Sequence, residues 1–211
     1  TTLSGLRDGD STVGLPATTD DNIIAQLDKV KSLYEELKPV FAKASEGSLD
    51  DTSLGLLAEK NVPLLVEMNK AVKMYEAAAK DVLGGDQQSA VVINLAGRQR
   101  MLTQKMTKEA LLVHLGVNVE ANSENLTVTT TMFDTTLKGL VDGNAEMGLP
   151  GTKDPEILAQ LGKVKALWDS VLPVVSNGSL NDGMLTDLST SNVTLLKEMN
   201  KAVGMYAEAA K

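Results

Sequence analysis

The sequence predicts an all-α protein made of antiparallel four-helix-bundle modules in tandem, the first incomplete at its N-terminus. Three observations lead there. Apolar residues recur at three- and four-residue intervals along most of the chain, the period of a helix with one buried face. Aromatic residues make up 3% of the 211, so the core falls to Leu, Val, Ile, Met and Ala. The third observation is that the chain repeats itself. TTLSGLRDGDSTVGLP at Thr1 returns as TTLKGLVDGNAEMGLP at Thr135, an offset of 134 residues. After Phe41 the second copy loses three residues and the offset becomes 131, so NVPLLVEMNKAVKMYEAAAK at Asn61 matches NVTLLKEMNKAVGMYAEAAK at Asn192. About half of the aligned positions are identical.

Residues 81–134 occur once. The register therefore divides the chain into residues 1–84, the C-terminal part of a first module whose earlier helices would precede Thr1, and residues 85–211, a complete second module. In order along the chain, DGDSTVGLPATTDD is a Gly- and Pro-punctuated connection. Ile23, Leu27, Val30, Tyr34 and Leu37 then share one helical face. The stretch FAKASEG, where the two copies differ in length, is a loop. Leu64, Met68, Ala71 and Tyr75 mark the last helix of the first module, and the Gly84–Gly85 pair reads as a hinge or helix break.

The segment VVINLAGRQRMLTQKMTKEALLVHL opens the second module as a helix. Leu126, Thr130, Phe133, Leu137 and Leu140 give the next, although TVTTTMFDTT has the β-branched content of a strand. Helix is preferred because the spacing is helical and no second strand is available to pair. After the connection DGNAEMGLPGTKD, Asp154 and Pro155 form an N-cap and first-turn pair. Ile157, Leu161, Val164, Trp168 and Val171 line the helix that follows; Leu195, Met199, Ala202 and Tyr206 line the last. Four antiparallel helices bury these stripes together.

Composition narrows function. The net charge of −8 argues against nucleic acid, which needs a basic face. With no Cys there is no disulfide scaffold, thiolate metal site or covalent haem attachment. No apolar run reaches the roughly 18 residues that span a bilayer. No signal peptide is visible, and Thr1 reads as the start of a trimmed chain. His114, the single histidine, reads as structural. Lacking a nucleophile–base pair, clustered histidines or an acidic dyad, the chain is expected not to be an enzyme, and to use no metal or cofactor.

The unusual stretch is INLAGRQRMLTQKM, residues 93–106, which holds two of the three arginines in the chain. On a helix, Val92, Leu95, Ala96, Leu102, Met106, Ala110 and Val113 form a core stripe. Ile93, Gly97, Arg100, Met101, Gln104 and Leu111 form a second, rotated stripe, so the helix has two things to pack against. Glycine inside a helix costs about 1 kcal/mol relative to Ala, and close approach of a backbone or ligand is the reason that would justify it. No acid occurs between Asp86 and Glu109, so Arg98, Arg100, Lys105 and Lys108 are expected to lack a carboxylate partner in this helix and to attract anions. Arginine suits a planar oxyanion because its rigid fork donates in parallel. Arg98 and Arg100 lie about 200° apart around the helix, so only Arg100 shares the face of Gly97 and Gln104. The plainer reading of an arginine here is a solvated charge or half of an interhelical salt bridge.

These residues resemble a known signature. INLAGRQRMLTQKM is similar to the PilJ-type sensor domain, the extracytoplasmic module of type IV pilus methyl-accepting chemotaxis transducers. It also resembles the P-box of nitrate/nitrite sensor kinases through Asn94, Ala96, Gly97, Arg100 and Met101. The resemblance implies an all-helical, bacterial periplasmic module that binds a small inorganic anion such as nitrate or nitrite. The anion would sit between paired P-box helices, in a homodimer or between modules, with Arg100 and the backbone near Gly97 as its ligands. Met101, Gln104, Asn94 and Arg98 complete the expected ligand-binding set. The kinases carry an apolar residue where Gln99 stands, which puts ligand preference in question. A membrane-linked signalling partner would lie outside this chain, in chemotaxis or two-component signalling. The competing reading is a non-sensing interaction or spacer module whose arginine stripe mates with another protein.

Overall fold

A computed structural model describes residues 2–83, 87–176 and 180–210. Among them are seven α-helices: α1 (Thr2–Asp8), α2 (Asp21–Ser45), α3 (Asp51–Leu83), α4 (Gln87–His114), α5 (Val119–Asp142), α6 (Pro155–Val175) and α7 (Asp182–Ala209). A short 3-10 turn, Ala145–Met147, follows α5. No strand occurs among the described residues. The Gly84–Gly85 pair, read as a hinge, lies outside them, as does the Asn177–Ser179 stretch. The chain forms two compact units, Thr1–Gly85 and Asp86–Lys211.

In the second unit α4 packs between α5 and α7, and α6 closes the square against α5 and α7. Ala96, Leu102, Met106 and Ala110 of α4 meet Phe133, Leu137 and Leu140 of α5, Leu161, Val164 and Trp168 of α6, and Leu195, Met199 and Ala202 of α7 in one core. Phe133 and Trp168 form its centre, rings 4.5 Å apart at centroid and tilted by 46°, a favourable aromatic arrangement. The indole of Trp168 donates to Asp134 Oδ1 at 3.1 Å, so its one polar atom is satisfied.

The threonine-rich α5 is helical despite its β-branched content. Its threonines bond back one turn: Thr129 Oγ1 donates to the Asn125 carbonyl at 2.8 Å, Thr130 to Leu126 at 2.9 Å and Thr131 to Thr127 at 2.8 Å. The hydroxyls are thereby paid for within the helix, and Leu126, Phe133, Leu137 and Leu140 bury its apolar face. Tertiary burial overrides local propensity here.

The internal repeat extends to individual hydrogen bonds. Asp20 caps α2 through the amides of Asn22 and Ile23, as Asp154 caps α6 through Glu156 and Ile157. Gln26 Nε2 donates to both the backbone oxygen and the carboxylate of Glu67, at 2.7 and 2.9 Å; Gln160 does the same to Glu198 at 2.8 and 2.9 Å. Tyr75 donates to the Leu6 carbonyl as Tyr206 does to Leu140. The connections close alike, by paired backbone bonds between Asp10 and Leu15 and between Asn144 and Leu149. The second of these loops folds so tightly on α5 that a Cβ at Gly139 would meet Leu149 Cδ1 at 2.8 Å and Asn144 Cβ at 3.0 Å. Any side chain there would have to push these neighbours aside, so glycine is favoured.

The first unit, by itself, is α2 packed on α3 with α1 against α2. Its small core gathers Ile23, Leu27 and Ala71, with Leu3, Leu6, Met74 and Tyr75 around them. Tyr34, expected on the buried stripe of α2, is instead 38% exposed, whereas its repeat counterpart Trp168 is 1% exposed. The cause is that Trp168 packs on Phe133 and Asp134 of α5, and residues 1–83 contain only a counterpart of the last two turns of α5, namely α1. Tyr34 turns to Phe41 instead, with ring centroids 6.0 Å apart.

Candidate functional site

The motif helix α4 presents different faces to α5 and α7. Toward α5 it is packed and polar in places. Gln99 is fully buried and donates to the Phe133 carbonyl at 2.8 Å. Gln99, on which ligand preference was expected to depend, thus serves the α4–α5 contact. Lys105 pairs with Glu109 one turn along the same helix and donates to Thr129 Oγ1 of α5 at 2.6 Å. The expectation that the cations of this helix lack a carboxylate partner therefore fails for Lys105, because i,i+4 spacing places Glu109 within its reach. Glu109 is fully buried, and its second carboxylate oxygen has no hydrogen-bond partner among the described residues. Lys108 is also partly buried, and that burial lowers the pKa of its ammonium.

Toward α7 the helix is open. Gly97, Arg100 and Met101 line a shallow groove of about 630 Å³ with Val193, Leu196, Lys197 and Asn200 of α7. Arg100 donates from Nη1 to Asn200 Oδ1 at 2.7 Å and from Nε to the Gly97 carbonyl at 3.4 Å. Neither acceptor carries a charge, and Arg100 has no ion pair among the described residues. Lys197 adds a second cation to the groove. Glu198, the acid of α7 next in sequence to Lys197, is drawn elsewhere: it accepts from Gln160 of α6 and from Lys201, contacts that hold its carboxyl below the usual range, the Gln160 bond contributing most.

Of the expected site residues, the groove thus assembles Gly97, Arg100 and Met101. Gln104 lies one turn beyond and bonds to Asn192 Oδ1 at 3.0 Å, tying α4 to α7 below the groove. Asn94 is half-buried on α4 and does not line it. Arg98 is also half-buried, lies outside the groove and has no hydrogen-bond or ion-pair partner among the described residues. Ile93 lines a separate cavity of about 290 Å³ between the start of α4, the α5–α6 connection and Tyr206. Burial pushes the Tyr206 phenol up to about 12. His114 is structural in its contacts, with Nδ1 2.9 Å from the Leu180 carbonyl and Nε2 3.5 Å from Asp182.

Gly97 behaves unlike Gly139. A Cβ built there would meet only Arg100 Nη2, at an ordinary 3.6 Å. Nothing within the unit needs glycine at this position. Sequence reasoning missed Lys197 and Asn200, which lie about a hundred residues from the motif. The signal for Asn200 was the repeated EMNK, which places Asn69 in the matching position of the first copy; Lys197, where the first copy has Val66, is a point of divergence.

Comparison with known proteins places this chain in a family. Residues 82–194 match the model of the type IV pili methyl-accepting chemotaxis transducer N-terminal domain, PilJ. The chain is 32% identical over 124 residues to the methyl-accepting chemotaxis protein McpN of Pseudomonas aeruginosa, a match covering 58% of this chain and 23% of that protein. The chain thus spans under a quarter of the length of this curated relative. Among solved structures it is similar to the ligand-binding domain of the P. aeruginosa nitrate receptor McpN, at 33% identity and a TM-score of 0.51, covering 57% of this chain and 97% of that one. The family model spans more than half of the 211 residues, and the chain belongs to the PilJ family of chemotaxis-transducer N-terminal domains.

Proposed function

We propose that the second unit is a periplasmic sensory module, without enzymatic activity, whose α4–α7 groove binds a small monovalent oxyanion, nitrate or nitrite first. The observation that carries this reading is Arg100: a guanidinium held by an amide oxygen and a backbone carbonyl, facing an open groove with Lys197 and no carboxylate on it. In a chain of net charge −8 such a group keeps its charge for an external anion. That McpN is a nitrate receptor makes nitrate the first candidate. Gly97 supports the reading, since its bare backbone leaves room for a ligand or for the helix of a second copy.

The groove is open on one side, and Val193 on its rim is 63% exposed. A second copy pairing α4 against α4 would close it. Two Arg100 side chains facing one another repel unless an anion lies between them, so binding and association reinforce each other. A shift of α4 on anion binding would carry the signal to a membrane-linked partner.

Thermal unfolding across a series of anions tests this. Saturating nitrate should raise the melting temperature by several degrees, since ligand at 100 times its Kd adds about 2.7 kcal/mol. A shift no larger than that from equal chloride would favour the spacer reading.

A further inference from the structure

We infer that Asn200 is a positioning residue for Arg100: a neutral clamp on α7 that aims the guanidinium into the groove without discharging it. This rests on the anion-binding reading and gives Asn200 a role of its own in it. Arginine has only donors, so the atom of Asn200 facing Nη1 at 2.7 Å must be its amide oxygen. Its Nδ2 then points away from Arg100. The bond fixes the plane of a side chain that otherwise samples many rotamers, which lowers the ordering cost of binding a planar anion. An aspartate is nearly isosteric with asparagine and would hold Arg100 more firmly, yet it would place a negative charge where the anion must sit. Asparagine is the residue that orients without neutralising.

The surroundings of Asn200 agree. Lys197, one turn earlier on α7, lines the same groove. Glu198 and Lys201, its near neighbours, pair with each other, and Glu198 is further held by Gln160 of α6. Gln104 and Asn192 form a second amide contact along the same seam, at 3.0 Å. That contact holds α4 to α7 independently of Asn200, so a substitution at Asn200 reports on Arg100 more than on helix packing.

The test is calorimetric titration of the 211-residue chain with nitrate, wild type against Asn200→Asp and Asn200→Ala, with melting temperatures measured in the absence of nitrate. The clamp predicts a fixed order. Asn200→Ala weakens binding a few-fold, and Asn200→Asp weakens it by at least about tenfold while the melting temperature stays level or rises. A merely structural role predicts the reverse for Asn200→Asp, with affinity retained because the contact to Arg100 is retained. Binding by Asn200→Asp as tight as that of wild type or of Asn200→Ala overturns the inference and leaves the anion reading intact. Wild type that binds no nitrate overturns both.

Discussion

Arg100 keeps its charge available because both acceptors within its reach are neutral, the Asn200 amide oxygen and the Gly97 carbonyl. A lysine there would keep the charge and lose the parallel donors, so Arg100→Lys should recover little binding; competition against nitrate in a thermal-shift series would measure it. Gly97 makes a second prediction. Nothing in the unit crowds it, so Gly97→Ala should stabilise the ligand-free protein by about 0.5–1 kcal/mol, the helix-propensity gain. The same methyl would narrow the groove and weaken nitrate binding. Opposite signs in denaturant unfolding and titration are the expected result; if Ala left affinity unchanged, the glycine would have no functional use. Gly97 stands out in the sequence because glycine is costly inside a helix, and Arg100 because two of the three arginines fall in one stretch with no acid between Asp86 and Glu109. Lys197 and Asn200 do not, since a lysine and an asparagine on an exposed helical face are ordinary and only the fold brings α7 beside α4.

At the scale of elements, each repeat copy fastens its last two helices by one glutamine reaching a carboxylate, Gln26 to Glu67 and Gln160 to Glu198. The Gln26 bond leads the causes that hold Glu67 down to about 2, with Lys70 and Lys29 adding to it, and the Gln160 bond likewise leads in lowering Glu198. A carboxyl whose folded pKa lies below its unfolded value stabilises the fold above the unfolded value, and this contribution disappears as pH falls toward the folded one. Stability should therefore drop between about pH 5 and pH 2. The double variant Glu67→Gln, Glu198→Gln should show a shallower drop in urea unfolding across that window; an equal slope would place the acid sensitivity elsewhere. The helices themselves were legible from periodicity, including α5, where the spacing of Leu126, Phe133 and Leu140 outweighed its threonines. The buried Lys105–Glu109 pair was not. An i,i+4 pair is normally a surface feature, and only the fold, which buries Glu109 and brings Thr129 of α5 to Lys105, shows that it lies inside.

For the whole molecule, the repeat has a consequence for the first unit. Its α2 and α3 carry the apolar residues of a four-helix module, yet Tyr34 and Phe41 are each 38% exposed where Trp168 and Val175 in the second unit are buried. We propose that residues 1–84 are the later part of a first PilJ-like module and 85–211 a second, complete one. Residues 1–82 alone should then not be both monomeric and cooperatively folded, and a sharp, concentration-independent melt of that fragment would contradict the proposal. The internal repeat was visible in the sequence because about half of the aligned positions are identical. The exposure of Tyr34 was not, because the stripe it belongs to is the same whether or not a partner helix covers it. The central claim, that Arg100 is the ligand of a small oxyanion, is tested most directly by calorimetric titration of nitrate into wild type, Arg98→Ala and Arg100→Ala. Loss of a hydrogen-bonded charge partner costs roughly 2–5 kcal/mol, enough to erase a micromolar site, whereas Arg98, outside the groove, contributes at most a charge that salt screens within about 8–10 Å. The expected result is saturable binding by wild type, modestly weakened binding by Arg98→Ala and none by Arg100→Ala. Binding that survives Arg100→Ala but not Arg98→Ala would contradict it.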